Sequence, residues 1–370
     1  MSKLCWQQQR ERSRERQSGS AVRCIHRYIS GSSLFFVLQR TNSNSKMSTH
    51  ETSFSWNSVF DWLRSVYDSG WPIFRVLFSR VRGLMSSTEK IVLNVGSGSD
   101  ADPSSKHRPA EVVASDMQRF MLNLKGSFMQ DDGRGVDYAS IKRSDDFAEF
   151  REKCKELRGV DVSLLDEDNK KAFFLNVYNA LTVHGLANME SLPSSVLEAQ
   201  DFWSRTCYDI GGHVYSLDDI EHGILRANRP HPAKKQPCFA EDDPRLSLAM
   251  DKVDPRIHFA LVCGAKSCPP INVYSAKNLN FGLEAATRNF CDGEVRVQDS
   301  KVSMSKIFLW YGCDFGESDA EKLRWCLPYL KEDNSAEVTR LLDAAGDGSL
   351  GFLSYHAYNW QLNGKADKES

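Results

Sequence analysis

The chain has 370 residues, with 47 basic and 49 acidic side chains for a formal charge of −2; 41% of residues are hydrophobic and 26% charged. Such proportions belong to an ordinary globular chain, and they exclude collagen, a wholly disordered polymer and a polytopic membrane protein. The near-neutral balance gives no reason to expect nucleic-acid binding, and at about 100–200 residues per domain one large domain or two small ones fit.

The charge is unevenly distributed. Residues 1–46 hold nine basic and two acidic side chains, net +7, which leaves −9 for residues 47–370. Residues 1–53 are rich in Arg, Ser and Gln and read as a disordered basic leader. An Arg-rich, acid-poor opening also fits a mitochondrial transit peptide, and Met47 is an alternative start. Over residues 54–85, Phe54, Trp56, Val59, Phe60, Trp62 and Leu63 recur at helical spacing, and after Gly70 and Pro72 apolar residues alternate with Arg75, Arg80 and Arg82. Neither run reaches the ~20 apolar residues of a membrane span. Aromatics mixed with Arg suit a helix lying on a membrane surface, or one packing on a protein partner. Gly96-x-Gly98 looks like a nucleotide-binding loop, but no helical pattern follows it, so residues 86–109 read as a linker.

From 110 to 363 the texture is globular. Helices are predicted over 110–124 and 139–157, separated by a turn and the short strand Val136-Asp137-Tyr138. A long helix, apolar nearly all round, covers 168–188. A hairpin over 202–215 turns at Gly211-Gly212, and a helix over 217–226 is capped by Ser216. A strand over 256–263, a helix over 274–290, a hairpin over 294–303 turning at Asp299-Ser300, and helices near 318–330 and 335–345 complete the pattern; 364–370 is a disordered tail. Helices and hairpins mix without regular βα alternation, which predicts an α+β class: a single large domain of helices packed on a short, mostly antiparallel sheet. The ten cysteines are irregularly spaced and include no Cys-x-x-Cys, so they read as reduced thiols of an intracellular, cytoplasmic protein, or a mitochondrial one if the leader is a transit peptide.

Three segments carry the residue types that chemistry needs. Asn176 and Asn179 lie three apart on the apolar helix, where a buried amide requires a specific partner; that partner is either loop backbone or a catalytic base. Glu221 and His222 are adjacent, with Arg226 four residues after His222 and so on its face; histidine is the natural general base near neutral pH. The stretch from Asp254 through His258 and Cys263 to Lys266 and Cys268 ends a buried strand in a glycine-containing loop that holds two thiols. Cys268 can be a nucleophile served by His222 or His258. Alternatively Cys263 and Cys268 bind zinc with His222 or His258, though Cys-x4-Cys is a loose spacing, or both thiols merely pack.

Taken together, Gly135-Val-Asp137-Tyr138, Phe173-Phe-Leu-Asn176-Val-Tyr-Asn179-Ala, Leu217-Asp-Asp-Ile-Glu221-His222-Gly-Ile-Leu-Arg226, the run from Asp254 to Pro269, Tyr311 to Phe315, and Tyr358-Asn-Trp360-Gln-Leu-Asn363 resemble the family catalogued as domain of unknown function 547. Phe174 stands where the family usually has Trp, and Asn359 where it usually has Asp. The stretch from Arg226 to Arg245 is most similar to eukaryotic members, a branch in which the domain is often joined to glutaredoxin-like and DEP modules. The resemblance implies a fold unit and no activity. Residue chemistry alone therefore carries the leading expectation, a thiol-dependent hydrolase or acyl transferase without a cofactor: Cys268 attacks a carbonyl, His222 or His258 takes the proton, Asn179 or Glu221 orients the imidazole, and N–H groups of residues 264–267 stabilise the oxyanion. The alternatives are a non-catalytic interaction or membrane-recruited domain using residues 54–85, and a redox partner of glutaredoxin-like proteins.

Overall fold

The computed structural model describes residues 89–95, 108–130, 134–346 and 350–364, all within one compact unit. The expected leader and the aromatic segment 54–85 lie outside the described residues. In chain order the elements are β1 (Ile91–Val92), α1 (Ala110–Phe128), α2 (Tyr138–Arg143), α3 (Asp145–Cys154), α4 (Glu167–Asn188), α5 (Phe202–Arg205), β2 (Thr206–Ile210), β3 (His213–Ser216) and a π-helical segment, Asp219–Leu225. They continue with α6 (Leu279–Glu294), β4 (Val295–Gln298), β5 (Lys301–Ser305), α7 (Ile307–Trp310), α8 (Gly312–Phe315), α9 (Asp319–Cys326), α10 (Glu332–Ala345) and β6 (Leu353–His356). No helix among the described residues is long and apolar enough to cross a membrane.

The class is α+β, but the sheet content is two small mixed sheets of order β1-β2-β3 and β4-β5-β6. Each combines one antiparallel hairpin, β2–β3 or β4–β5, with a parallel strand brought in from a distance. Both hairpins form where their turn residues predict, with positive φ at Gly211 and Gly212 and at Asp299 and Ser300, as two-residue turns matching strand twist require. The stretch read as a linker supplies β1, and its Asn94 is buried, donating to the Cys154 and Asp209 carbonyls.

Around α4 the larger core assembles. Asp166 caps this helix by accepting from the Asn169 N–H, Glu167 and Asp168 occupy the first turn where carboxylates suit the dipole, and every residue from Ala172 to Ala187 is buried. The predicted helix over 139–157 is broken at Ser144, whose extended backbone ends α2 while its hydroxyl caps α3. Val136 pairs only through isolated bridges, to Met129 and Gly364, and Asp137 caps α2 through the Ser140 N–H, so Tyr138 opens a helix rather than ending a strand. A smaller core packs β4, β5 and the second half of α6 against α9 and α10.

Two further departures bear on function. Residues 219–225 wind as a wide π-helix, with Arg226 N–H bonded to the Glu221 carbonyl at 2.8 Å, a form that recurs at functional sites. The expected strand over 256–263 is a 3₁₀ turn, Pro255–Phe259, followed by an irregular buried segment. Asp254 caps the turn by accepting from the Arg256 N–H and Pro255 supplies the fixed φ of a first helical residue, so two-residue alternation never starts. Backbone partners come instead from Asn179, which donates to the Ala260 carbonyl and accepts from the Val262 N–H, both at 2.9 Å.

Candidate active site

Between the two cores a cavity of about 170 Å³ opens, lined by Glu221, His222, His258, Cys263, Cys268 and aromatic side chains from both halves of the domain. Separate pieces of chain meet there: α4, α5, the π-helix with the loop that follows it to His231, the 3₁₀ turn with its following loop, the α7–α8 junction, and the C-terminal segment around Tyr358.

The two thiols sit on a loop that the C-terminus clamps. Lys266 N–H donates to the Gln361 carbonyl at 2.8 Å, Asn363 N–H to the Gly264 carbonyl at 2.8 Å, and Asn359 N–H to Ser267 Oγ at 2.9 Å. Gly264 has φ +92°, which brings Cys263 and Cys268 together across five residues: their Sγ atoms are 3.0 Å apart. Cys268 Sγ also accepts from the Cys263 N–H at 3.2 Å and lies 3.3 Å from the Tyr358 hydroxyl. Burial and the two sulfurs push the Tyr358 hydroxyl up, so it stays protonated and donates. Burial opposes a Cys268 thiolate, but the Cys263 S–H, the Tyr358 hydroxyl and the Ala265 and Cys263 N–H groups outweigh it and hold that thiol at about 7. Hydrogen bonding to Cys268, with burial, pushes Cys263 well up. The pair is thus asymmetric: Cys263 holds its proton more tightly than Cys268.

Among the described residues, no imidazole bonds to either sulfur. His222 and His258 are committed elsewhere, in different ways. Arg226 Nη1 is 2.9 Å from His222 Nδ1; a guanidinium can only donate, so Nδ1 is the acceptor and neutral His222 keeps its proton on Nε2. Burial, with Arg226 adding to it against the opposing pull of Glu221, lowers His222 to about 3. His222 is therefore a hydrogen-bond donor in the cavity and not the base expected from its residue type. His258 is held from the other side. Its Nε2 is 2.8 Å from Asp314 Oδ2, and Asp314 also receives Arg226 at 2.6 and 3.1 Å and Arg229 at 2.8 Å. Although burial opposes its charge, His258 and Arg226 hold the Asp314 carboxyl far below its usual value. An ionised Asp314 accepts at Nε2 and fixes the orientation of the His258 ring, the arrangement of a carboxylate-supported histidine.

Neither expected orienting group touches an imidazole through a hydrogen bond. The Asn179 amide is fully engaged by the backbone of Ala260 and Val262, the loop-backbone alternative, and Asn176 does the same for Tyr274. Glu221 accepts from the Tyr311 hydroxyl at 2.7 Å and the Tyr178 hydroxyl at 3.0 Å. Burial raises its carboxyl, yet the imidazoles, Tyr311 and Arg226 outweigh burial and keep it below the usual range. The expected oxyanion donors at Lys266 and Ser267 give their N–H groups to Gln361 and Asn359. Asp314, Tyr311, Tyr178 and Tyr358 also line or support the cavity, and sequence reasoning gave them no role, although the three motifs that contain them stood out as characteristic.

The zinc alternative can be weighed on the same geometry. Among the described residues, Cys263, Cys268, His222 and His258 do not converge; the ligand-type atoms that gather within 4.8 Å are those of Asp218, His222 and His231. A metal-bound imidazole normally donates its second nitrogen's proton to an acceptor. Here the second nitrogens face donors, Arg226 on His222 and the Ala233 N–H on His231, so both rings carry protons on Nε2 and the trio does not suit a cation of that kind.

Fold and cavity define the class first: an α+β domain with a thiol pair in a cavity framed by buried histidines and carboxylates. The model of the family described as protein of unknown function, DUF547, matches residues 162–291, which supports the family resemblance of the domain. The matched segment contains Asn179, Glu221, His222, His258, Cys263 and Cys268, while Tyr311, Asp314 and Tyr358 lie beyond it. No curated protein and no solved structure matches the chain.

Proposed function

We propose that this domain is a thiol-dependent acyl-transfer enzyme, a hydrolase or transferase, with Cys268 as nucleophile. The observation that carries the reading is the environment of the Cys268 sulfur: a charge-stabilising set of donors, from Cys263, Tyr358 and backbone N–H, on a sulfur at the wall of a cavity. A thiol held at about 7 is substantially thiolate at neutral pH without an attached base, and the thiolate is the attacking species. Sγ would form a bond to the substrate carbonyl carbon, the Nε2 proton of His222 would face the developing oxyanion, and the bond to the leaving group would break as that group takes a proton from solvent water. His258, supported by Asp314, would then draw the proton from the water or acceptor that cleaves the thioester. Labelling with iodoacetamide, read residue by residue by mass spectrometry, tests this. Cys268 is expected to react fastest, with a half-maximal rate near pH 7, and Tyr358→Phe is expected to shift that midpoint toward the ordinary thiol range. Uniformly slow labelling of all ten cysteines, or an unchanged midpoint in Tyr358→Phe, would sink the reading.

One observation favours a second reading. Thiols 3.0 Å apart, one of them ionised, suit thiol–disulfide exchange: the Cys268 thiolate attacks a small-molecule disulfide, then Cys263 displaces it, yielding an intramolecular disulfide and two thiols. Incubation with oxidised glutathione separates the two. A loss of two hydrogens localised to Cys263 and Cys268, reversed by dithiothreitol, supports the exchange reading; a stable mixed disulfide on Cys268 alone argues against it.

A further inference from the structure

Beyond the thiols, the cavity walls have an unusual composition. No lysine or arginine lines it among the described residues, although Arg226 lies fully buried behind it on Asp314. Two carboxylates do, Asp218 and Glu221. The same cavity is also lined by three half-buried rings packed on one another: Trp310 and Tyr358 have centroids 5.3 Å apart, Trp310 and Trp360 5.4 Å, and Tyr358 and Trp360 4.6 Å. Aromatic faces attract cations through the ring quadrupole, most strongly when water is excluded. A half-buried carboxylate likewise needs a counter-charge. The partner of Asp218 is Lys234, 3.9 Å away with a largely exposed side chain, which can swing aside without loss of packing. One ring of the cavity already shows the chemistry: the Arg226 guanidinium carbon lies 4.9 Å from the Tyr311 ring centroid.

We propose that the aromatic end of this cavity binds a small organic cation, an alkylammonium head group. This deepens the thiol reading by naming its substrate class, and depends on that reading only for what happens after binding. A cationic head group would add to the long Lys234 contact of Asp218, whereas an anionic ligand would be repelled by Asp218 and Glu221. The volume, about 170 Å³, admits a head group and a short chain rather than a folded partner's surface.

The test is quenching of tryptophan fluorescence in the whole protein, with choline as probe and 3,3-dimethylbutan-1-ol as its neutral isostere. Choline is expected to bind about 10-fold more tightly than the isostere. Asp218→Asn and Trp360→Leu are each expected to reduce that preference at least threefold. Asp218→Asn keeps the side-chain shape, and circular dichroism confirms that each variant folds. An Nα-acetylated, C-amidated lysine distinguishes a head group presented by a polypeptide from one on a free small molecule, according to which probe binds more tightly. The same titration on Cys268→Ser separates this inference from the catalytic one, because the preference for choline should survive there even if Cys268 reacts with nothing. Equal binding of choline and its isostere, or a preference untouched by both Asp218→Asn and Trp360→Leu, overturns the proposal.

Discussion

Arg226 donates to Nδ1 of His222 at 2.9 Å while its other nitrogens hold Asp314. This one buried guanidinium thereby sets the roles of two histidines. It fixes His222 as the Nε2–H tautomer, and it shares the carboxylate that orients His258. A lysine could not replace it, because only the planar fork reaches both partners at once.

Neutral burial of His222 makes stability depend on pH. His184, fully packed among Phe147, Phe150 and Tyr208, is likewise lowered to about 3, by burial and by Arg151, as burial chiefly lowers His222 to about 3. In the unfolded chain both would titrate near 6.5. Their folded values are depressed, so the unfolded chain takes up protons first as pH falls. Stability present above about pH 6.5 is then lost toward pH 3, with about 2 kcal/mol gone per histidine by pH 5. Urea unfolding at pH 7.5 and pH 5 should show this fall, and His184→Gln should remove about half of the difference. Identical curves at the two pH values would contradict two neutral buried imidazoles.

Asn176→Ala and Asn179→Ala should each destabilise the domain by about 2–4 kcal/mol, since each leaves a buried backbone N–H and carbonyl without partners. Their effects on the thiol should differ. Asn179 holds the segment that leads into Cys263, whereas Asn176 holds the backbone of Tyr274, beyond the thiol loop. Iodoacetamide labelling of Cys268 is expected to slow in Asn179→Ala and to stay near the wild-type rate in Asn176→Ala; equal slowing in both would show that Asn179 has no special part in placing the loop.

Gly264→Ala combines a left-handed backbone with a clash. At φ +92° a Cβ would stand 2.8 Å from Leu186 Cδ1 on the buried helix α4. The expected loss is about 1–3 kcal/mol, accompanied by a rise in the labelling midpoint of Cys268 as the two sulfurs part. Gly293→Ala is the control: it is helical and a Cβ there meets nothing within 4 Å, so it should be neutral or stabilise by up to about 1 kcal/mol. Similar losses at both positions would refute the steric account.

The elements whose residues decide their own geometry were legible in the sequence. Helix α4 has a capping aspartate and an unbroken apolar run, and the two hairpins have turn residues that tolerate positive φ. The segment after Asp254 was misread because its apolar run satisfies a strand pattern equally well. What prevented the strand was Asp254-Pro255 opening a 3₁₀ turn and the Asn179 amide taking the backbone bonds that a neighbouring strand would otherwise have made.

The sequence by itself determined the class, the central helix and the chemical types gathered at the candidate site, because residue type sets which side chains can donate, accept or ionise. Only the tertiary structure decided what each group does. Cys268 finds Cys263 and Tyr358 instead of an imidazole, His222 loses its basic nitrogen to Arg226, and His258 gains Asp314 from 56 residues away. The reason is physical: protonation state and tautomer depend on neighbours within about 3–4 Å, and those neighbours come from parts of the chain whose local patterns say nothing about one another.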